Sequence, residues 1–170
     1  MDIKKVSDIM IPLDAYPHVP YWFTLRQSLI VFSKARLEID NTISLPRAIL
    51  VFDKEYKLLG MVRRRDIFRG FGREFPTVNT EKIEDPDFVE KVAENLKSIS
   101  SKQVLDVMVP IKKTANWDEY ITGALHKMVD NEVSILPVLQ DDKVVGVVRS
   151  VELLDEISSL VLEKAVRNVL

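Results

Sequence analysis

Two stretches of the chain open with the same pattern of residues. Residues 8–12 read Asp-Ile-Met-Ile-Pro, and residues 106–110 read Asp-Val-Met-Val-Pro. Each opening is followed by an amphipathic helical pattern, two short aliphatic runs joined by a charged turn, and a second helical pattern. A repeated order of elements indicates one supersecondary unit that the chain uses twice. The chain is therefore predicted to fold as two copies of one unit.

The first helical pattern of each copy places apolar residues at helical spacing. These residues are Leu25, Leu29, Phe32 and Ala35 in the first copy, and Ile121, Ala124, Leu125, Met128 and Val129 in the second. Thr24 precedes the first stripe, and Gln27 comes three residues after Thr24, which is the signature of a capping box. We predict an amphipathic helix at each place.

Each copy continues with a pair of aliphatic runs. Residues 48–52 and 58–62 form the pair in the first copy, and residues 135–139 and 144–148 form it in the second. Short aliphatic runs around a polar turn predict a β-hairpin.

An arginine and an acid follow each hairpin with the same spacing. Arg63 precedes Asp66 by three residues, and Arg149 precedes Glu152 by three residues. The next helical pattern begins at the acid. One helical turn of spacing favours an ion pair between the two side chains.

Residues 70–102 separate the two copies. Residues 70–76 are expected to be irregular, whereas a helix is expected from Asp85, with Pro86 at its first position. The apolar stripe of this helix is Phe88, Val92, Leu96 and Ile99, and we expect it to dock on the body of the protein. The predicted divisions are residues 1–69 for the first repeat, 70–102 for the linker, and 103–170 for the second repeat with a C-terminal helix. The first copy also carries extra residues near 37–47.

The composition excludes several classes of protein. Of the 170 residues, 46% are hydrophobic, which is too many for a disordered chain. Cysteine is absent and the two histidines, His18 and His126, lie far apart, so we expect no disulfide, thiol chemistry or metal site. The sequence contains no arrangement of a nucleophile with a base, so we expect no catalytic residues and no enzyme. Because no signal-peptide or membrane-spanning stretch is found, we expect a cytoplasmic protein without membrane contacts.

In these features the chain resembles a tandem pair of cystathionine β-synthase (CBS) domains, often called a Bateman module. The resemblance covers residues 3–69 and 102–158, and rests on the two openings, the hairpins with Gly60 and Gly146, and the acid that follows each hairpin. It implies an α/β (α+β) fold in which each repeat runs β-α-β-β-α and the repeats pack about a pseudo-twofold axis. It also implies a non-catalytic regulatory role, with clefts between the repeats that bind AMP, ADP, ATP or S-adenosylmethionine and no other cofactor.

The family's ribose and phosphate contacts lie at the end of the second hairpin strand. There the motif Gly-aliphatic-aliphatic-Thr/Ser-x-x-Asp supplies a hydroxyl and a carboxylate, and the carboxylate accepts hydrogen bonds from both ribose hydroxyls. In this chain the acid is Asp66 or Glu152, and the hydroxyl position holds Arg63 or Arg149. Each arginine either grips a phosphate or pairs with the nearby acid and closes the cleft. Asp66 is either a ribose ligand or a simple acid at a helix N-terminus, and Glu152 fits a structural role better.

The family also holds the adenine base between aliphatic residues of the opening and of the first hairpin strand. The corresponding residues are Ile11 with Ile49 and Leu50 in one copy, and Val109 with Ile135 and Leu136 in the other.

Two functions stay open at this point. The first is a regulatory module that binds an adenosine-type nucleotide and signals to an effector protein by conformational change or oligomerisation. The alternative is a structural or protein-interaction CBS pair with decayed clefts, which the loss of both hydroxyls favours. Nucleic acid is not an expected partner, because 24 Lys+Arg face 26 Asp+Glu and no aromatic platform accompanies the basic cluster at Arg63–Arg65, Arg69 and Arg73.

The C-terminal segment is apolar over more than one face. Leu154, Ile157, Val161 and Ala165 share a face, and Leu153, Leu160, Leu162, Val166, Val169 and Leu170 lie beyond it. A helix packed only on its own core needs one apolar stripe, so the surplus should be covered by another surface. Because the family pairs its modules through the helices that follow each hairpin, we predict a homodimer.

Overall fold

The computed structural model describes residues 3–39, 41–72 and 86–167. The strands in these ranges are β1 (Ile11–Pro12), β2 (His18–Pro20), β3 (Leu37–Ile39), β4 (Thr42–Ser44), β5 (Ala48–Phe52), β6 (Leu58–Arg63), β7 (Ala115–Asn116), β8 (Ile135–Gln140) and β9 (Lys143–Arg149). The α-helices are α1 (Leu25–Lys34), α2 (Arg64–Gly72), α3 (Pro86–Ser101), α4 (Ile121–Asp130) and α5 (Ser150–Arg167). The order β2, α1, β5, β6, α2 recurs as β7, α4, β8, β9, α5, which confirms the predicted α/β fold with two β-α-β-β-α repeats.

The chain divides into two compact units that do not follow the order of the repeats. Unit 1 consists of Met1–Tyr16 and Ile111–Leu170, and unit 2 consists of Pro17–Pro110. The opening of the first copy thus belongs to the unit of the second hairpin, and the opening of the second copy belongs to the unit of the first. The divisions at 1–69, 70–102 and 103–170 stay a prediction about the repeats, and the compact units cut across them.

Unit 2 is built on a three-stranded sheet in the order β2-β5-β6. β5 pairs antiparallel with β6, as the first hairpin predicts, and parallel with β2. The central strand β5 is buried along its whole length. The core cluster of this unit consists of Val19, Ile49, Val51, Val62, Ile67 and Val104. Val104 lies two residues before the opening of the second copy, so the segment that leads into that opening helps to close the core of the first hairpin.

Unit 1 is built on a four-stranded sheet in the order β1-β9-β8-β7. β8 pairs antiparallel with β9, as the second hairpin predicts, and parallel with β7. β1 adds an antiparallel strand to the other side of β9. The core cluster of this unit consists of Val6, Ala115, Ile121, Ala124, Met128, Leu136, Val138, Val148 and Leu153.

Each opening segment lies against the glycine of a second hairpin strand. In unit 2, Val109 exchanges two backbone hydrogen bonds with Met61, of 2.8 and 2.9 Å. A Cβ added to Gly60 would stand 2.5 Å from the carbonyl oxygen of Val109, and one added to Gly146 would stand 2.5 Å from that of Ile11. The repeated opening and the repeated glycine are therefore two halves of one backbone contact, which the absence of a side chain makes possible.

The first helices of the two copies bury narrower faces than the apolar stripes predict. The capping box is confirmed: Thr24 Oγ1 accepts a hydrogen bond from the Gln27 N–H at 3.2 Å, and Gln27 Oε1 accepts one from the Thr24 N–H at 2.8 Å. Leu29 in α1, and Leu125 and Val129 in α4, are nevertheless exposed. These three residues lie at the edge of stripes that are wider than the face a single sheet covers.

The region that joins the repeats is more regular than the sequence indicates. α3 is a helix, as predicted for this part of the chain, although Asp85, from which it was predicted, lies outside the described residues; α3 packs against α1, with Ile99 buried. The prediction that residues 70–72 are irregular is wrong, because they belong to α2. Phe71 packs there against the core cluster, which offsets the low helix propensity of the glycines beside it. Residues 73–76 of the same prediction lie outside the described residues.

The extra residues of the first copy form a small hairpin of their own. β3 and β4 pair antiparallel, and Asn41 turns between them in the left-handed region, with φ of 63°. Asparagine tolerates this conformation better than most residues with a side chain. The insertion is therefore a folded element rather than a longer loop.

α5 packs a different face from the one that the first apolar group marks. Leu153 is buried, and Leu160 packs partly buried against the core cluster, whereas Leu154 and Val161 are exposed. The surplus of apolar side chains is present, and its exposed part is the face that carries Leu154 and Val161. The predicted residues from 165 to 170 lie outside the described side chains.

Candidate functional site

Asp66 forms a bidentate ion pair with Arg63 where β6 meets α2. Arg63 ends β6, and Asp66 lies in the first turn of α2. Arg63 Nε donates to Asp66 Oδ2 at 2.7 Å, Nη2 donates to Oδ1 at 2.8 Å, and the Arg63 N–H donates to Oδ2 at 3.0 Å. The side chain of Asp66 is 2% exposed and that of Arg63 is 24% exposed. Of the two predicted roles for Arg63, the structure contains the pairing with the acid.

The ion pair shifts the pKa of both partners. Burial by itself would raise the pKa of Asp66, but the hydrogen bonds from the Arg63 side chain and backbone, with the charges of Arg63 and Arg65, hold it below its usual range. The hydrogen bond with Asp66 raises the pKa of Arg63. Asp66 is therefore a carboxylate, and it acts as a hydrogen-bond acceptor only.

The second copy repeats the pair with a longer acid and deeper burial. Arg149 Nε donates to both carboxylate oxygens of Glu152 at 3.0 Å, and the Arg149 N–H donates to Oε2 at 3.1 Å. Arg149 Nη2 also donates to Oε1 of Glu152. The two side chains are 4% and 7% exposed. Both side chains of this pair are buried, whereas the Arg63 side chain of the pair in unit 2 is partly exposed.

These contacts occupy most of the acceptor capacity that a ribose would need. A carboxylate offers about four lone-pair positions, and Asp66 already accepts three hydrogen bonds from Arg63. A vicinal diol needs two positions, so Asp66 can hold a ribose only after Arg63 releases at least one bond. Arg63 is partly exposed and can rotate into water, whereas Arg149 is buried. The cost of opening is therefore lower at Asp66 than at Glu152.

The aliphatic residues predicted to hold a base are divided between the compact units. Ile11 belongs to unit 1, whereas residues 49–50, with which the sequence groups it, belong to unit 2. Val109 belongs to unit 2, whereas residues 135–136 belong to unit 1. Neither predicted set lies within a single unit.

Adjacent residues in each predicted pair lie on opposite faces of a sheet. Ile49 belongs to the core cluster of unit 2, and Leu136 belongs to that of unit 1. Because neighbouring side chains on a strand alternate in direction, Leu50 and Ile135 lie on the other faces. Leu50 and Ile135 are nevertheless buried as well, at 0% and 6% exposed, so contact of any of these four residues with a ligand stays a prediction.

Arg47 lies beside this site, although the family's motif does not include it. The Arg64 N–H donates to the carbonyl oxygen of Arg47 at 3.2 Å, so a residue before β5 lies at the start of α2. Aligning the two copies would have found it, because Arg47 matches Ser134, whose carbonyl oxygen accepts from the Ser150 N–H at 2.9 Å.

The two histidines belong to different compact units. His18 Nε2 lies 2.5 Å from the hydroxyl oxygen of Tyr56, and the His18 ring packs edge-on against Phe52 and Tyr56, with centroids 5.7 Å apart. His126 is exposed on α4. Within residues 3–39, 41–72 and 86–167, no three metal-ligating side chains come together. Nor does any helix in the described ranges have the length and apolar character to cross a membrane.

The comparisons with known proteins agree with this fold. Residues 118–159 match the family model of the CBS domain. The CBS domain-containing protein of unknown function from Bacillus anthracis str. Ames Ancestor is 20% identical, with a TM-score of 0.65 over 92% of this chain and 94% of that chain. CBSX2 in complex with AMP is 15% identical, with a TM-score of 0.62 over 92% of this chain and 97% of that chain.

A third similar structure is the CBS domain of the bacterial CNNM/CorC family Mg2+ transporter in complex with ATP. It is 14% identical, with a TM-score of 0.62 over 91% of this chain and 87% of that chain. A comparison with curated protein sequences gave no match. The fold is that of the CBS domain. The chain shares this fold with solved CBS-domain structures over more than nine-tenths of its length, and its two β-α-β-β-α repeats agree with the resemblance to a CBS pair seen in the sequence.

Proposed function

We propose that this protein is a non-catalytic regulatory module that binds an adenosine-type nucleotide, with Asp66 as the residue that holds the ribose. The observation that carries the proposal is the carboxylate of Asp66, retained at the position of the family's motif and charged. Two proteins with the same fold are in complex with AMP and with ATP, which supports the ligand class.

The ion pair makes binding at this site a competition between Arg63 and the ligand. Arg63 must release at least one carboxylate oxygen of Asp66 before a ribose diol can bind. A phosphate of the same ligand can then accept the freed guanidinium, which favours bidentate contacts with phosphate as with carboxylate. The exchange gives the module two states, with Arg63 on the protein's own acid or on the ligand. Such a two-state element is what a regulatory module needs in order to signal to an effector protein.

Calorimetric titration of the purified protein tests the proposal. We expect heat of binding with at least one of AMP, ADP, ATP and S-adenosylmethionine, and we expect Asp66→Asn to abolish it. The control is Asp155→Asn, which removes the same charge from an exposed position of α5. Absence of heat and of thermal shift with all four compounds at millimolar concentration would overturn the proposal.

The second candidate function is a structural or protein-interaction module with closed clefts. The observation in its favour is that Asp66 and Glu152 are both already bonded to the arginines that replace the family's hydroxyls. This candidate predicts that no small molecule co-purifies, as judged by mass spectrometry of the denatured supernatant. It also predicts that Arg63→Thr, which restores the hydroxyl and releases Asp66, creates nucleotide binding that the natural protein lacks. Binding by the unaltered protein would exclude it.

A further inference from the structure

Five arginines come together where β5 begins and β6 meets α2. They are Arg47, Arg63, Arg64, Arg65 and Arg69, and we call them the arginine cluster. The hydrogen bond from the Arg64 N–H to the Arg47 carbonyl, at 3.2 Å, ties the two ends of the cluster together. Ala48 is the register partner of Arg63 across the hairpin, which places Arg47 beside the same strand end. The cluster is therefore one local surface built from three elements.

Most of the cluster is exposed and carries no counter-charge from the described chain. Arg47, Arg64, Arg65 and Arg69 are exposed, and within the described ranges none of them forms a salt bridge with a carboxylate. Asp66 is bonded to Arg63. The positive charge of Arg65 also lowers the pKa of Asp66, so its cation acts close to the ion pair. The surface is strongly positive although the whole chain has a formal net charge of −2.

This placement is electrostatically unfavourable for the unliganded protein. Cations are disfavoured at a helix N-terminus, where the macrodipole is positive, and Arg64 and Arg65 are the first residues of α2. Arg65 and Arg69 lie four residues apart on that helix, a spacing at which like charges repel. A bound anion would reduce both the unfavourable interaction of the arginines with the helix dipole and the repulsion between Arg65 and Arg69.

The second repeat shows that the fold does not need these arginines. The residues at the matching positions are Ser134 for Arg47, Ser150 for Arg64, Val151 for Arg65 and Asp155 for Arg69. The same backbone hydrogen bond is made there, from the Ser150 N–H to the Ser134 carbonyl at 2.9 Å. The fold therefore tolerates small, apolar and acidic residues at these positions. The arginines are a property of unit 2 alone and not a requirement of the hairpin or of the helix that follows it.

We propose that the arginine cluster is a polyphosphate site, so that unit 2 binds ligands carrying two or three linked phosphates in preference to a monophosphate. The inference rests on the proposed function in one respect, since Asp66 would hold the ribose of the same nucleotide. Linked phosphates match the cluster because guanidinium groups bind phosphate oxygens bidentately, and a chain of phosphates offers five arginines on three elements more acceptor oxygens than one phosphate does. The phosphate chain of a nucleotide and free tripolyphosphate share this chemistry.

The shape of the cluster favours a compact anion over a nucleic acid. Nucleic-acid binding neutralises many phosphates spread along a strand and is accompanied by stacking on aromatic residues. The cluster occupies one strand end and part of the nine-residue α2, and the exposed aromatic residue on that helix is Phe68 alone. The chain as a whole has no positive charge to attract a nucleic acid, because 26 acidic residues outnumber 24 basic ones.

The test measures how the affinity of a ligand depends on its number of phosphates. It does so in the natural protein and in a variant that carries the residues of the second repeat at three positions of the cluster. AMP, ADP, ATP and inorganic tripolyphosphate are titrated into the natural protein and into R47S/R64S/R65V. The matched control is R26S/K54S/K57S, which removes the same charge from three exposed positions of unit 2, with Lys54 and Lys57 at the opposite end of the β5–β6 hairpin. Thermal unfolding checks that R47S/R64S/R65V is folded, and we expect it to be at least as stable as the natural protein because repulsion is relieved.

We expect ATP to bind the natural protein about tenfold or more tightly than AMP, as one additional charged hydrogen-bonded contact would give. R47S/R64S/R65V should reduce that preference to less than about threefold, and the control triple variant should retain it. An unchanged preference in R47S/R64S/R65V, or an equal loss in the control, would overturn the inference.

The outcomes separate this inference from the proposed function. Equal affinity of the natural protein for AMP and ATP would refute the polyphosphate site and leave nucleotide binding standing. Equal affinity for tripolyphosphate and ATP, with both lost in R47S/R64S/R65V, would support the polyphosphate site and refute recognition of the nucleoside. No binding of any of the four compounds would refute both.

Discussion

At the scale of single residues, the two repeats use the same arginine–acid pair in different surroundings. Arg63 keeps a quarter of its side chain in water, whereas both members of the Arg149–Glu152 pair are buried. A charge with access to water can change partners at low cost, but a buried charge without its partner is strongly unfavourable. The Arg63–Asp66 pair is therefore suited to an exchange of partners, and the Arg149–Glu152 pair is suited to stabilising the fold.

The difference in burial gives unequal costs for the same substitution. Arg149→Met should lower the free energy of unfolding by about 3–5 kcal/mol, because the Glu152 carboxylate is left buried without its counter-charge. Arg63→Met should cost about 1–2 kcal/mol, since a displaced hydrogen-bonded charge near the surface is partly rescued by water. Urea denaturation of both variants measures the two values. A larger loss for Arg63→Met would contradict the assignment of roles.

The lowered pKa of Asp66 predicts how its contribution depends on pH. The folded state holds the pKa below the unfolded value of about 3.9, so the contribution is complete above that value and is lost as the pH falls through the folded pKa. The difference in unfolding free energy between the natural protein and Asp66→Asn should therefore be constant from pH 7 to about 5 and shrink below about 4. Denaturation at a series of pH values measures this difference. A difference that grows on acidification would contradict the pKa direction.

At the scale of elements, the organising contact is between an opening segment and a hairpin glycine. The carbonyl oxygens of Ile11 and Val109 occupy the space where a side chain would be on Gly146 and Gly60. The contact occurs once in each unit, with a methionine sulfur next to it in both cases. It is the reason why the Met-aliphatic-Pro opening and the glycine recur together.

Alanine substitutions at the glycines test this contact. Gly60→Ala and Gly146→Ala should each destabilise the protein by about 1–3 kcal/mol, because the clash is with backbone and cannot be relieved by a rotamer change. Gly123→Ala is the control, because its Cβ would meet nothing closer than 3.7 Å and its position lies inside α4. That variant should be more stable by up to about 1 kcal/mol, from helix propensity alone. Thermal unfolding of the three variants gives the comparison, and equal effects at all three glycines would contradict it.

At the scale of the whole molecule, apolar side chains remain exposed on the helices that follow the hairpins. Phe68 on α2 is 72% exposed, and Leu154 and Val161 on α5 are 63% and 61% exposed. Exposed apolar residues that share a helical face indicate a surface for association. The homodimer inferred from the sequence stays a prediction, and the exposed face of α5 is where we expect it to form.

Light scattering tests the association. The protein should have about twice the 19.5 kDa mass of the chain, and Leu154→Glu with Val161→Glu should shift it to the monomer, because two charges would be buried in an apolar contact. The control is Leu29→Glu with Ile30→Glu, which places the same charges on the exposed face of α1. A natural protein that is monomeric at every concentration, with and without nucleotide, would refute the prediction.

Local patterns in the sequence determined the amphipathic helices, the two repeated hairpins and the two ion pairs. The capping box at Thr24, the helix α3 and the three-residue spacing of Arg63 and Asp66 all depend on neighbours in the chain, so they can be predicted without a fold. The repeat itself was decisive, because two weak patterns in the same order are far more specific than one.

The tertiary structure decided what depends on distant contacts. Only the fold places Val6 in the core of the second hairpin and Val104 in the core of the first, because packing between distant parts of the chain leaves no mark in either short segment alone. It likewise decides that Leu153 rather than Leu154 is buried, and that Ile49 packs in the core of its unit. A helix or strand pattern states which residues are apolar, but which of them are covered depends on the surfaces that pack against them.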